Sequence, residues 1–199
     1  MTTTEPVDSM QLRIDRVWDD DIIPELTDYI RIPNVSKAYE PDWRELGHMD
    51  RAVEHIRRWC AARAIAGLTV EVVRLPGLTP MIVMEVPAFG EGSTRGADDV
   101  VLLYGHLDKQ PEMEGWREGF GPWTPVIEND RLYGRGGADD GYSAYATLAA
   151  IEAAQAAGWS HARLVILIEA SEESGSPDLP AYLDHLAPSV GSPSLVVCL

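Results

Sequence analysis

Hydrophobic positions along the chain follow two periods in turn. Over residues 9–30, Met10, Ile14, Val17, Trp18, Ile22, Leu26 and Ile30 recur at roughly helical spacing, and Pro24 predicts a division into two helices. Ile32-Pro33-Asn34-Val35-Ser36 reads as the closing loop. A second helical stretch, residues 43–66, carries Met49, Val53, Ile56 and Cys60 on its inner stripe, with Gly67 as the predicted C-cap. The period then shortens. Residues 68–75 and 81–86 read as strands, and residues 87–99, rich in glycine and charge, as a surface loop. Residues 100–104 are a continuous apolar run, which predicts a strand buried on both faces. A short hairpin about Glu128-Asn129-Asp130 is expected within 123–133, then an alanine-rich helix over 142–157 ending at Gly158. Residues 164–168 and 194–199 read as two further buried strands, with a helix over 177–186 between them. Strands alternating with helices place the chain in the α/β class, with a mostly parallel central sheet flanked by helices.

Composition narrows the function. The 199 residues are 45% hydrophobic and 24% charged, enough for one globular domain or one and a half. A net charge of −16 argues against a nucleic-acid partner and against docking on an anionic membrane, since both require a basic face. Cys60 and Cys198 make neither a disulfide framework nor a paired-cysteine metal site, and are expected to be buried, reduced thiols. The opening MTTTEPVDSM lacks the basic-then-apolar order of a signal peptide, and no apolar run approaches the ~20 residues of a membrane span. A soluble, cytoplasmic protein is expected. The chain stops at Val196-Val197-Cys198-Leu199 without a turn or polar tail, from which a truncated domain is expected.

Three segments carry candidate chemistry. Tyr104-Gly105-His106-Leu107-Asp108 follows a predicted strand. Gly134-Arg135-Gly136-Gly137-Ala138-Asp139-Asp140-Gly141 precedes the alanine-rich helix, and Glu169-Ala170-Ser171-Glu172-Glu173-Ser174-Gly175-Ser176 follows another strand. Taken singly these read as a turn, a helix N-cap and a solvated acidic surface. Together they line up at the C-terminal ends of strands and at a helix start, where open α/β sheets bind ligands. Imidazole plus carboxylates is a donor set that zinc accepts, with manganese or cobalt as substitutes. Cations would relieve the repulsion among Asp139, Asp140, Glu172 and Glu173.

The stretches GHLDKQP, WTPVIENDRLYGRGGADDG and IEASEESGS, with IRIPNVS at the start, resemble the co-catalytic zinc metallopeptidase family of carnosinase-like dipeptidases, acetylornithine deacetylase, succinyl-diaminopimelate desuccinylase and glutamate carboxypeptidase. The resemblance runs from about Leu12 to Leu199, and QP, the Trp116–Trp123 segment and LYGRG look most like the dipeptidase branch. It implies that residues 1–199 are the N-terminal part of the catalytic domain, without the lid or dimerisation domain. By position, it implies His106, Asp139 and Glu173 as metal ligands, with Asp139 bridging two zinc ions across a cis Asp139–Asp140 peptide. Asp108 would orient the His106 imidazole, and Glu172 would be the general base acting on a metal-bridging water. The implied substrates are dipeptides or short peptides, alternatively N-acyl amino acids, and the implied intact protein is a homodimer.

Two departures stand out. Gly141 follows Asp140 where the family often has lysine, and Lys109 stands where a small apolar residue is common; both are expected to bear on substrate preference. The family pattern also calls for a carboxylate just past residue 199 and a later histidine. His48, His55, His161 and His185 do not fit that role, so this chain alone is expected to hydrolyse little.

Overall fold

The computed structural model describes residues 5–91 and 99–199, with side chains from Met10 onward. The helical periodicity at the start forms α1 (Glu5–Val17) and α2 (Ile23–Ile30), joined without a break by a wide π turn over Trp18–Ile22. Pro24 sits in the first turn of α2, just past the π turn, so the stretch divides into two α-helices as the proline predicts. The next stretch divides at Gly47, whose left-handed backbone (φ 68°) separates a single turn, α3 (Trp43–Leu46), from α4 (His48–Ala61). This helix ends at Ala61 with Ala62 as its C-cap, and not at Gly67; Gly67 instead turns the chain tightly against the Pro87 ring before β1.

Among the described residues, seven strands follow the expected order. Five form one sheet ordered β1 (Thr69–Val73), β2 (Met81–Val86), β6 (Arg163–Glu169), β3 (Val100–His106), β7 (Leu195–Cys198). The β6–β3 and β3–β7 ladders are parallel, while β1–β2 and β2–β6 are antiparallel, so a parallel half carries an antiparallel flank. The remaining two, β4 (Val126–Glu128) and β5 (Arg131–Tyr133), pair as the predicted hairpin. Its turn residues Asn129 and Asp130 both take positive φ (52° and 58°), the geometry of a tight two-residue hairpin turn.

Alternation along the central strands separates two cores. Ile82, Met84, Val86, Leu164, Ile166 and Ile168 face α2, α4 and α5 (Ser143–Ala156). Met81, Val83, Val165 and Leu167 face α6 (Leu179–Val190) through Tyr182, Leu186 and Val190. Strand β6 is therefore buried on both faces, as its apolar run requires. Strand β7 is not. It lies at the sheet edge with Leu195 and Val196 each 53% exposed, which corrects the expectation of a third buried strand. An apolar run reports the propensity to form a strand, but burial depends on what packs over it. Cys198 is exposed for the same reason, whereas Cys60 is buried and both are free thiols. Of the predicted loop over 87–99, residues 92–98 lie outside the described residues. No helix among the described residues is long and apolar enough to cross a membrane.

Candidate metal centre

Register places the first and third motifs side by side. His106 closes β3 and is paired with Glu169, the last residue of β6, so both loops leave the sheet at one edge. The second motif arrives from the hairpin and turns at Gly136 (φ 86°), where a Cβ would collide with the Lys109 side chain. It enters α5 through Asp139 and Asp140, whose connecting peptide is cis.

The turn presents its two acids in opposite directions. Asp139 is 61% exposed in its side chain, and its Oδ1 lies 3.4 Å from His106 Nε2. Asp140 is buried, and its Oδ2 accepts the His106 main-chain N–H at 2.9 Å. Burial raises the Asp140 carboxyl above its usual range, although the accepted N–H acts in the opposite sense. Gly105 makes this approach possible: a Cβ there would fall 2.5 Å from Ser143 Oγ and 2.7 Å from Asp140 Oδ2.

On the other ring nitrogen, His106 Nδ1 is 3.1 Å from the Asp108 main-chain oxygen, a hydrogen bond in which Nδ1–H donates, so that in the neutral ring Nε2 keeps its lone pair for the cluster. The Asp108 carboxylate is 3.6 Å from Nδ1, too far for a hydrogen bond. It accepts the main-chain N–H groups of Glu172 at 3.0 Å and Glu173 at 3.1 Å instead. Asp108 thus orients the imidazole through its backbone and spends its carboxylate on the short 3₁₀ turn Glu172–Ser174.

Candidate ligand atoms of His106, Asp139 and Glu173 all lie within 4.8 Å of one another. Glu172 Oε2 is 3.6 Å from His106 Nε2 on the same side. Glu173 accepts a hydrogen bond from the Gln110 amide on one oxygen, while its Oε1 is buried with no partner. A buried acceptor left open beside an imidazole lone pair and a second carboxylate fits a divalent cation. Without a cation, burial opposes charging of His106, yet Asp108, Asp140 and Glu172 outweigh it and raise its pKa to about 9. Burial also raises the Glu173 carboxyl.

Several supporting residues carried no distinctive sequence signal. Tyr29 hydroxyl and Asn34 amide (2.6 Å) both donate to the Leu107 carbonyl, and the main chain of Asn34 and Ser36 brackets Lys109. The IRIPNVS match marked this loop but not its role as a splint beneath His106. Lys109 is fully buried and donates to the carbonyls of Tyr29 (2.9 Å), Ile30 (3.4 Å) and Ile32 (2.7 Å). It therefore caps the C-terminus of α2. The other histidines do not join the cluster: His55 packs on Glu25, His161 stacks on Phe89 and His48 contacts Arg51.

Fold and cluster together define an α/β protein with a preformed imidazole–carboxylate group at its strand ends. Residues 102–194 match the model of Peptidase family M20/M25/M40, which bears out the resemblance read from the sequence. The chain is 40% identical over 85 residues to the Cys-Gly metallodipeptidase DUG1 of Candida albicans, covering 40% of this chain and 17% of that protein. It is 40% identical over 91 residues to the succinyl-diaminopimelate desuccinylase of Acidiphilium cryptum, covering 45% and 23%. Human carnosine dipeptidase 1 superposes with a TM-score of 0.70 at 23% identity, over 96% of this chain and 40% of its own, and so supports the fold. The chain spans less than half the length of each of these proteins.

Proposed function

We propose that residues 1–199 form the N-terminal part of the catalytic domain of a zinc-dependent hydrolase acting on dipeptides or short peptides, with His106, Asp139 and Glu173 as its metal ligands. One observation carries the reading: three donors from three separate loops converge within 4.8 Å, with the Glu172 carboxylate 3.6 Å from the imidazole. A divalent metal there supplies Lewis acidity and lowers the proton affinity of water. Zinc is the ion we assign, with manganese or cobalt as substitutes.

The remaining chemistry belongs to the side chains. Among the described residues no hydrogen bond ties down the Glu172 carboxylate, so Glu172 is free to take a proton from the attacking water and return it to the departing amine. Asp108 fixes the backbone that carries both glutamates. Asp140 fixes the backbone of His106. Ligation requires a neutral imidazole, so metal binding releases the proton that the surrounding carboxylates otherwise hold on His106.

Three protein donors match one catalytic zinc site. A second ion needs donors beyond this trio, which favours the reading that the chain hydrolyses little by itself. The desuccinylase match favours a second reading, N-acyl amino acid deacylation, with the same residues in the same roles.

Calorimetric titration of the chain with zinc tests the assignment. One site is expected, weakened at least tenfold by His106→Ala or Glu173→Gln, whereas Glu172→Gln leaves affinity nearly unchanged. Binding heats indifferent to the first two substitutions refute the ligand set, and tight two-site binding refutes the need for outside donors. Assays of Cys-Gly against an N-succinyl amino acid, with zinc present, separate the two substrate readings.

A further inference from the structure

Beneath the Glu172–Glu173 turn lies a second buried carboxylate to which the proposed mechanism gives no part. Glu169 is 2% exposed, the last residue of β6 and the register partner of His106. Its main-chain oxygen accepts the Leu107 N–H at 2.8 Å, fixing it to the loop that carries His106. Three hydroxyls surround its carboxylate. Tyr104 and Ser176 (2.8 Å) donate to Oε1, and Ser171 (3.0 Å) donates to Oε2.

Those three donors are not arranged at random along the chain. Ser171 immediately precedes Glu172–Glu173 and Ser176 follows two residues after the turn, so one carboxylate grips both ends of the segment. The ends are also joined directly, since Ser176 N–H donates to the Ser171 carbonyl at 3.0 Å. Tyr104, on β3, anchors the same carboxylate to the strand that ends at His106. Burying a carboxylate is unfavourable unless hydrogen bonds satisfy it, and a hydrophobic residue at the end of a buried strand would be the cheaper choice for packing alone. Two of its three donors, Ser171 and Ser176, reach the carboxylate only while the loop is closed over it.

We infer that Glu169 is a positioning residue: by holding Ser171 and Ser176 together against Tyr104, it sets the Glu172–Glu173 turn at the height where Glu173 meets His106 and Asp139. Asp108 holds the turn from its inner N–H groups, and Glu169 holds it at the hinges. The inference rests on the metal reading above, so its test includes a readout that needs no metal.

Amide hydrogen exchange at Glu172 and Glu173 and cobalt affinity are measured on the chain, with Glu169→Ala and Glu169→Gln compared against wild type. Glutamine keeps one acceptor oxygen and alanine keeps none. Exchange at the two amides is expected to quicken in the order wild type, Glu169→Gln, Glu169→Ala, reaching about tenfold for alanine, with protection at the centre of β6 retained. The cobalt dissociation constant should rise in the same order. If the alanine variant does not fold, the glutamine variant carries the test, with a two- to fivefold change in both quantities expected. Unchanged exchange in the folded variants overturns the inference. Faster exchange with unchanged cobalt affinity also overturns it, since Glu169 would then only stabilise the loop. A wild-type chain that binds no cobalt sinks the metal reading and the positioning role together, and that failure shows in the unmutated chain rather than in a variant.

Discussion

Gly105→Ala offers the sharpest test of how the site is built, because the side chain it adds is a single methyl. That carbon would lie 2.5 Å from Ser143 Oγ, 2.8 Å from Ser143 Cβ and 2.7 Å from Asp140 Oδ2, and all three neighbours are buried. Something must shift. Overpacking of this kind costs about 1–3 kcal/mol. If Asp140 gives way, its charge-assisted bond to the His106 N–H is lost as well, at about 1.5–3 kcal/mol. Urea unfolding should therefore show a loss of roughly 3–5 kcal/mol. Zinc affinity should fall at least tenfold, because the His106 backbone has lost its anchor. Two controls isolate the cause. Gly115→Ala adds a methyl where nothing lies within 4 Å but φ is +84°, so it should cost about 1–2 kcal/mol from the left-handed backbone alone, without touching metal affinity. Ser143→Gly removes two of the three clashing atoms and should recover more than ~1 kcal/mol in the Gly105→Ala background. A loss below ~1 kcal/mol for Gly105→Ala, with unchanged zinc binding, would show that the close approach of β3 to the Asp139–Asp140 turn is not what sets the site.

Other outcomes follow from single groups. Lys109→Met keeps the stem but leaves the Tyr29, Ile30 and Ile32 carbonyls without their donor, and should cost about 2–4 kcal/mol by urea unfolding; under ~1 kcal/mol would mean that the buried ammonium, whose pKa burial pushes well below 10.5, contributes no net stability. At Asp178, burial works to raise the carboxyl pKa, but the Lys37 ammonium and the Thr79 N–H and hydroxyl outweigh it and hold it below the usual aspartate value of 3.8. The folded state then binds fewer protons than the unfolded one between those two pKa values, so this stabilisation is complete above pH ~4 and is lost as pH falls through the lowered pKa. Asp178→Asn should accordingly flatten the acid limb of the stability curve below pH ~4, and an unaltered limb would exclude the group. Cys60 is buried, which pushes its pKa up to about 12, while Cys198 is exposed; a disulfide reagent should label one thiol of the native chain, at Cys198, and both only after unfolding.

Periodicity was enough to place the helices and strands and the α/β class, because each element had to show an apolar face to a core that its own spacing reveals. The three motifs were equally legible, since acids and an imidazole beside glycines at strand ends announce themselves by type and position. Spacing could not settle which way each acid points. Asp139 and Asp140 are neighbours of one kind in the sequence, yet one faces the cluster and the other braces the His106 backbone, a choice made by the turn between Gly136 and α5. Asp108 meets the imidazole through its main-chain oxygen and the Glu172–Glu173 turn through its carboxylate, and the second contact was hidden because the distance from the β3 end to the neighbouring β6 loop is a property of sheet register and not of chain spacing. Lys109 and the edge strand β7 fall on the same side of the line: a buried lysine is explained by the helix end it caps, and an apolar strand by what lies beside it. Local sequence determined the elements and the chemical inventory; burial and partnership, which depend on contacts between residues far apart in the chain, were decided only when the elements packed.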